Sequence, residues 1–199
     1  MKKLLFALLL LVTNSIGLSA SVNPHDLIVR VDVSSATFVV RSTIPMNAET
    51  KIELLNADGL GLYNGTIAEK HYLNKRFPLA SIADGEYQLI LSDLRGKTIQ
   101  PLVVKKGVIT QDLALAKQQF FPRVDLQDNR LMVVRYNNKE GNRINISVAN
   151  GSGETVFQDQ VKGEDIKRAY QLDKLEAGAY YVTFSSRTVR KHTVAIALD

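Results

Sequence analysis

Phe77-Pro78-Leu79-Ala80-Ser81-Ile82-Ala83-Asp84-Gly85-Glu86-Tyr87-Gln88-Leu89-Ile90-Leu91 returns 93 residues later as Tyr170-Gln171-Leu172-Asp173-Lys174-Leu175-Glu176-Ala177-Gly178-Ala179-Tyr180-Tyr181-Val182-Thr183-Phe184. Seven positions keep their character in one register: Phe77/Tyr170, Leu79/Leu172, Ile82/Leu175, Gly85/Gly178, Tyr87/Tyr180, Leu89/Val182 and Leu91/Phe184. Agreement at so many fixed spacings marks an internal repeat. Within it, the alternation after each glycine has a period of two, the pattern of a strand with one buried face.

The repeat extends in both directions. Upstream, Arg30-Val31-Asp32-Val33 is read against Arg123-Val124-Asp125-Leu126, and Phe38-Val39-Val40-Arg41 against Met132-Val133-Val134-Arg135. Ile52-Glu53-Leu54 is read against Ile144-Asn145-Ile146, Asp58-Gly59 against Asn150-Gly151, and Leu62-Tyr63 against Val156-Phe157. Downstream, Leu102 and Val104 face Val194 and Ile196. Asp-Gly and Asn-Gly between apolar runs favour tight hairpin turns, so each copy should contain a central hairpin. No long apolar stripe at helical spacing occurs, although Leu113 to Gln119 has room for a turn or two of helix. Short alternating strands with frequent turn signals predict an all-β fold: two tandem antiparallel β-sandwich domains, 21–108 and 122–199, with a linker or connecting strand over 109–121.

The N-terminus reads as a removable export signal. Lys2 and Lys3 are followed by the apolar run Leu4 to Val12 and by Ile16-Gly17-Leu18-Ser19-Ala20, which ends in small residues; cleavage after Ala20 is expected. As a helix, that apolar run reaches only about 14 Å, less than half of a ~30 Å hydrocarbon core, so it is too short for an anchor. No segment of the mature chain is long and apolar enough to span a bilayer. The chain has no cysteine, which removes disulfides, thiolate metal sites and the acceptor residue of a lipoprotein, and leaves stability to core burial. Its net charge of +5 falls to +3 when Lys2 and Lys3 leave, too mild for a nucleic-acid partner.

Candidate chemistry is sparse. His25, His71 and His192 show no metal-ligand spacing, no GxSxG elbow is present, and Gly59-Leu60-Gly61 lacks the context of a phosphate cradle. No catalytic, cofactor or metal residue is assigned, and an enzyme is not expected. Tyr63, Tyr72, Tyr136 and Phe157 are the aromatics available to stack on sugars, though aromatics in strands ordinarily pack against neighbours.

Gly85, Tyr87, Gly178 and Tyr180 have a structural reading. A tyrosine near the start of a strand can lay its ring on the core and return its hydroxyl to the preceding turn, and glycine before it allows the sharp bend. The block resembles the immunoglobulin and fibronectin type III superfamily, with Leu89 and Val182 where an antibody domain would place cysteine. The second copy, from Arg143 to Leu198, also resembles the C-terminal sorting domain of type IX secretion cargo in Bacteroidetes. That resemblance rests on an apolar strand, an Asn-Gly turn, a second strand, Leu175-x-x-Gly178-x-Tyr180-Tyr181-Val182, and a last strand preceded by Arg190-Lys191. It implies that secretion machinery is a partner, with Arg190, Lys191, Val194, Ile196 and Leu198 in the sorting segment. The reading is thus an exported, non-enzymatic structural or interaction protein of the cell envelope, in the periplasm, at the cell surface or secreted. A glycan- or peptide-binding sandwich is the alternative.

Overall fold

The computed structural model describes residues 26–32, 37–78, 81–128 and 130–199. The expected signal peptide, together with Val33 and Leu79 of the repeat, lies outside these described residues. The chain divides into two compact units, one carrying the described residues up to Gln119 and the other running Phe120–Asp199.

In the first unit, β1 (Leu27–Asp32), β2 (Thr37–Ser42) and β5 (Asn74–Pro78) form a sheet in the order β1-β2-β5. The second sheet contains β3 (Thr50–Asn56), β4 (Gly61–Ile67), β6 (Gly85–Asp93), β7 (Gly96–Lys105) and β8 (Val108–Gln111) in the order β4-β3-β6-β7-β8. A sixth strand, β9 (Lys117–Phe120), also pairs with β7. The pairings among β1 to β8 are antiparallel. Alternation along β3, β6 and β7 sends Ile52, Leu54, Tyr87, Leu89, Leu91, Leu102 and Val104 inward, where they join Leu27, Phe38, Val40 and Phe77 of the opposite sheet in one core. Such a two-sheet core is the stable way to bury one face of each sheet.

The second unit repeats the arrangement. Its sheets are β10 (Arg123–Gln127), β11 (Leu131–Asn137) and β14 (Asp165–Gln171) in the order β10-β11-β14, and β12 (Arg143–Asn150), β13 (Thr155–Lys162), β15 (Gly178–Ser185) and β16 (His192–Leu198) in the order β13-β12-β15-β16. Met132, Val134, Ile144, Ile146, Val148, Val182 and Phe184 are buried. Both units are therefore antiparallel, immunoglobulin and fibronectin type III-like sandwiches. An aromatic pair recurs at one place in each: Tyr63 meets Phe77 edge-on at 5.2 Å, and Phe157 meets Tyr170 at 5.1 Å.

The strand registers correct the repeat alignment in three places. Ile52 and Leu54 pair with Leu91 and Leu89, whereas Ile146 and Val148 pair with Phe184 and Val182. Ile52 and Leu54 are thus equivalent to Ile146 and Val148, two residues beyond Ile144 and Ile146. The interruptions in register, between Leu54 and Leu55 and between Val148 and Ala149, coincide in this frame. By the same test Val29 and Val31, across from Val40 and Phe38, correspond to Val124 and Leu126, across from Val134 and Met132. Leu102 and Val104, across from Tyr87 and Gly85, correspond to Ile196 and Leu198, across from Tyr180 and Gly178. The cause is the strand's own period: a slip of two residues still sets every apolar side chain against an apolar one.

The central turns settle differently as well. Asn56 and Asn150 each accept from a glycine three residues on, Gly59 and Gly153, and both glycines have positive φ, 79° and 85°. Gly153, not Gly151, is the counterpart of Gly59. Neither turn is the two-residue hairpin expected from Asp58-Gly59 and Asn150-Gly151. Leu113 to Gln119, with room for a turn or two of helix, holds a single 3-10 turn, Leu113–Leu115, capped by the Asp112 carboxylate accepting from the Ala114 N–H at 2.9 Å, and the strands β8 and β9 flank it within 109–121.

Candidate functional site

β16 is the element around which the second unit's assigned residues gather. β15 lies beside it in the sheet, so Gly178, Tyr180 and Val182 sit directly across from Leu198, Ile196 and Val194. Gly85 and Tyr87 occupy the same places in the first unit, facing Val104 and Leu102.

The corner is built by a hydrogen bond in both units. The Tyr87 hydroxyl donates to the Ala83 carbonyl at 2.7 Å, and the Tyr180 hydroxyl donates to the Glu176 carbonyl at 2.9 Å. Each ring is buried, at 7% and 6% exposure, so the bond satisfies a hydroxyl that water reaches poorly. Gly178 has φ of 149° with open space around it, so its conformation, rather than crowding, is what a side chain would resist.

Arg130 adds a fastening that the sequence did not mark. Its guanidinium donates to the Leu175 carbonyl at 2.7 Å and to the main-chain oxygen of Asp199, while its own carbonyl accepts from the Leu172 N–H at 2.8 Å. The turn before the corner and the end of β16 are thereby held by one side chain. A lone arginine between strands carries no pattern from which this could be read.

The start of β16 is fastened by packing. The His192 ring stacks on Phe121 at 4.8 Å and lies 6.3 Å from Phe184. Burial pulls its pKa below the ordinary histidine value, partly countered by a hydrogen bond to the Pro122 backbone. Its Nε2 is buried without a hydrogen-bond partner among the described residues. Before it, Ser186 Oγ accepts from the Val189 N–H at 2.9 Å, the Ser186 N–H donates to the Val189 carbonyl, and Val189 is buried at 3% exposure. This tied loop presents Arg187, Arg190 and Lys191 to solvent. The basic pair thus stands outward at the entrance to β16, and Thr193, Ala195 and Ala197 are exposed along it while Leu198 is buried.

Elsewhere Tyr63, Tyr136 and Phe157 pack against neighbours, whereas Tyr72 does not. Tyr136 is buried; Tyr63 lies beneath the Lys75 ammonium at 4.3 Å; Tyr72 is exposed. The Tyr170 hydroxyl donates to Asp159 Oδ2 at 2.7 Å, and burial, followed by that carboxylate, drives its pKa far above the ordinary tyrosine value. Among the described residues no group of three or more His, Cys, Asp or Glu is placed to hold a metal ion, and no helix is long and apolar enough to cross a membrane.

Solved structures similar to this chain include the following two. One is described as the BSP domain of a biofilm associated protein, with 15% identity, 80% of this chain covered and a TM-score of 0.31; the chain covers 27% of that one. The other is a two fibronectin type III domain segment from chicken tenascin, with 14% identity, 87% of this chain and 97% of that one covered, and a TM-score of 0.30. At these scores the strand order, rather than the likeness, establishes the fold. No curated protein matches the sequence. Residues 129–196, about a third of the chain, match the family model of the secretion system C-terminal sorting domain, which suggests an exported protein bound for the cell surface or the medium.

Proposed function

We propose that this is an exported cell-envelope protein of structural or interaction type, whose second unit is the signal that hands it to type IX secretion machinery. One observation carries the reading: the sorting-domain match over 129–196 falls on the unit that ends in β16. The arrangement supports it. Arg190 and Lys191 are held outward by a tied loop at the start of a strand whose other end is clamped by Arg130. In this reading residues 1–20 direct passage across the inner membrane, the unit ending at Gln119, whose second sheet includes β8, is the delivered domain, and Phe120–Asp199 is read by the machinery. The protein acts through its surfaces and carries out no reaction.

Fractionation of the native host with mass spectrometry of both chain ends tests this. The expected result is a mature chain beginning at Ser21, found at the cell surface or in the medium. A chain that accumulates in the periplasm with both units intact would overturn it.

A further inference from the structure

β7 and β16 are equivalent strands, yet their outer edges differ. In the first unit β8 runs antiparallel along that edge, with Leu102 across from Gln111, Val103 from Thr110, Val104 from Ile109 and Lys105 from Val108. β9 pairs with β7 as well. In the second unit β16 is the last strand of its sheet, and among the described residues none pairs with its outer edge. β10 of the opposite sheet comes near β16 without joining it.

Burial registers the difference. Gln100, Leu102 and Val104 in β7 are 0%, 1% and 3% exposed. Their counterparts across from Val182, Tyr180 and Gly178 are Val194, Ile196 and Leu198, of which only Leu198 is buried; Val194 and Ile196 remain half-exposed. Ile109, supplied by β8 directly across from Val104, is part of the first unit's core. Among the described residues nothing supplies its equivalent next to Leu198.

The other sheet edges of the second unit are guarded, as edges exposed to water generally are. β10 carries Arg123 and Asp125, β13 carries Asp159 and Lys162, and β14 carries Asp165, Lys167 and Arg168. β16, His-Thr-Val-Ala-Ile-Ala-Leu, has no lysine, arginine, acid, proline or glycine.

We infer that the edge of β16 is an acceptor for an extended strand of another protein, which pairs antiparallel with it and places an apolar side chain across from Leu198. The sibling unit specifies this occupant's chemistry: a short extended segment with its apolar residue where Ile109 stands and a neutral residue two positions on, where Gln111 stands. Backbone hydrogen bonds would give affinity and that apolar residue would give register. The inference does not depend on whether secretion machinery provides the strand.

The chain contains its own probe. Val104 and Lys105 are equivalent to Leu198 and Asp199, so Lys-Gly-Val-Ile-Thr-Gln appended after Asp199 copies the turn and strand that follow Lys105. Hydrogen exchange on the full chain should show amides of 192–199 slowed by about tenfold or more in the extended chain, and the second unit should unfold at a higher temperature. A second extension with lysine in place of the isoleucine should lose most of both gains. A free peptide of residues 106–113, added to the unmodified chain, should slow the same amides in proportion to its concentration. Unchanged exchange with both extension and peptide would overturn the inference. So would equal protection by the lysine version, or sedimentation of the unmodified chain as a dimer that the extension dissociates, since the edge would then belong to a second copy. These readouts use purified protein and are blind to export, so they fail or succeed separately from the sorting role.

Discussion

The Tyr180 hydroxyl and the His192 ring stabilise the same unit by opposite means. Tyr180 pairs its one polar atom with the Glu176 carbonyl, and a hydrogen bond of this kind contributes about 1 kcal/mol net. Tyr180→Phe should therefore lower the second unit's unfolding free energy by about that amount, read from denaturant unfolding; an unchanged midpoint would mean that water serves the hydroxyl equally well. His192 is stabilised as a neutral ring between Phe121 and Phe184, with its pKa held down by burial. Unfolding frees it to bind a proton, so below about pH 6.5 the unfolded chain holds more protons than the folded one and stability falls as pH falls. His192→Phe, which keeps an aromatic ring for the stack, should remove that part of the loss between pH 7 and pH 5. Equal pH slopes for the two proteins would show that the imidazole is not burdened by its site.

Among elements, the central turn of the second unit offers a clean contrast. Gly153 has φ of 85°, a conformation in which a side chain costs about 1–2 kcal/mol, whereas Gly151 is not among the positive-φ glycines and an added Cβ there meets only ordinary contact, at 3.7 Å from the Ala179 carbonyl oxygen. Gly153→Ala should thus destabilise by roughly 1–2 kcal/mol and Gly151→Ala by less; the reverse order would restore the Asn-Gly hairpin that the sequence suggests. The repeat, the strand class and the corner spacing were all legible, because glycine, tyrosine and alternating apolar residues at fixed intervals admit few other structures. Register within β1, β3 and β7 was not, since apolar alternation is unchanged by a two-residue slip and only pairing partners break the tie. Of the candidate site, the basic pair and the alternation of β16 were visible, while Arg130 and the bare edge were not. A clamp by one arginine leaves no spacing rule, and an absent neighbour is seen only beside the sibling that has one.

For the whole molecule, the proposed routing role rests on the second unit alone. The sorting-domain match is confined to 129–196, and the first unit has its own core. Leu198→Ala should then destabilise only the second unit, by about 2–5 kcal/mol as for other buried leucines, with the first unit's protease resistance unchanged. The most direct measurement compares the full chain with one lacking residues 190–199 in the native host, by fractionation together with protease resistance of the first unit. Export through the second unit predicts that the shortened chain is retained in the periplasm with its first unit still folded. Delivery of the shortened chain to the cell surface would contradict it.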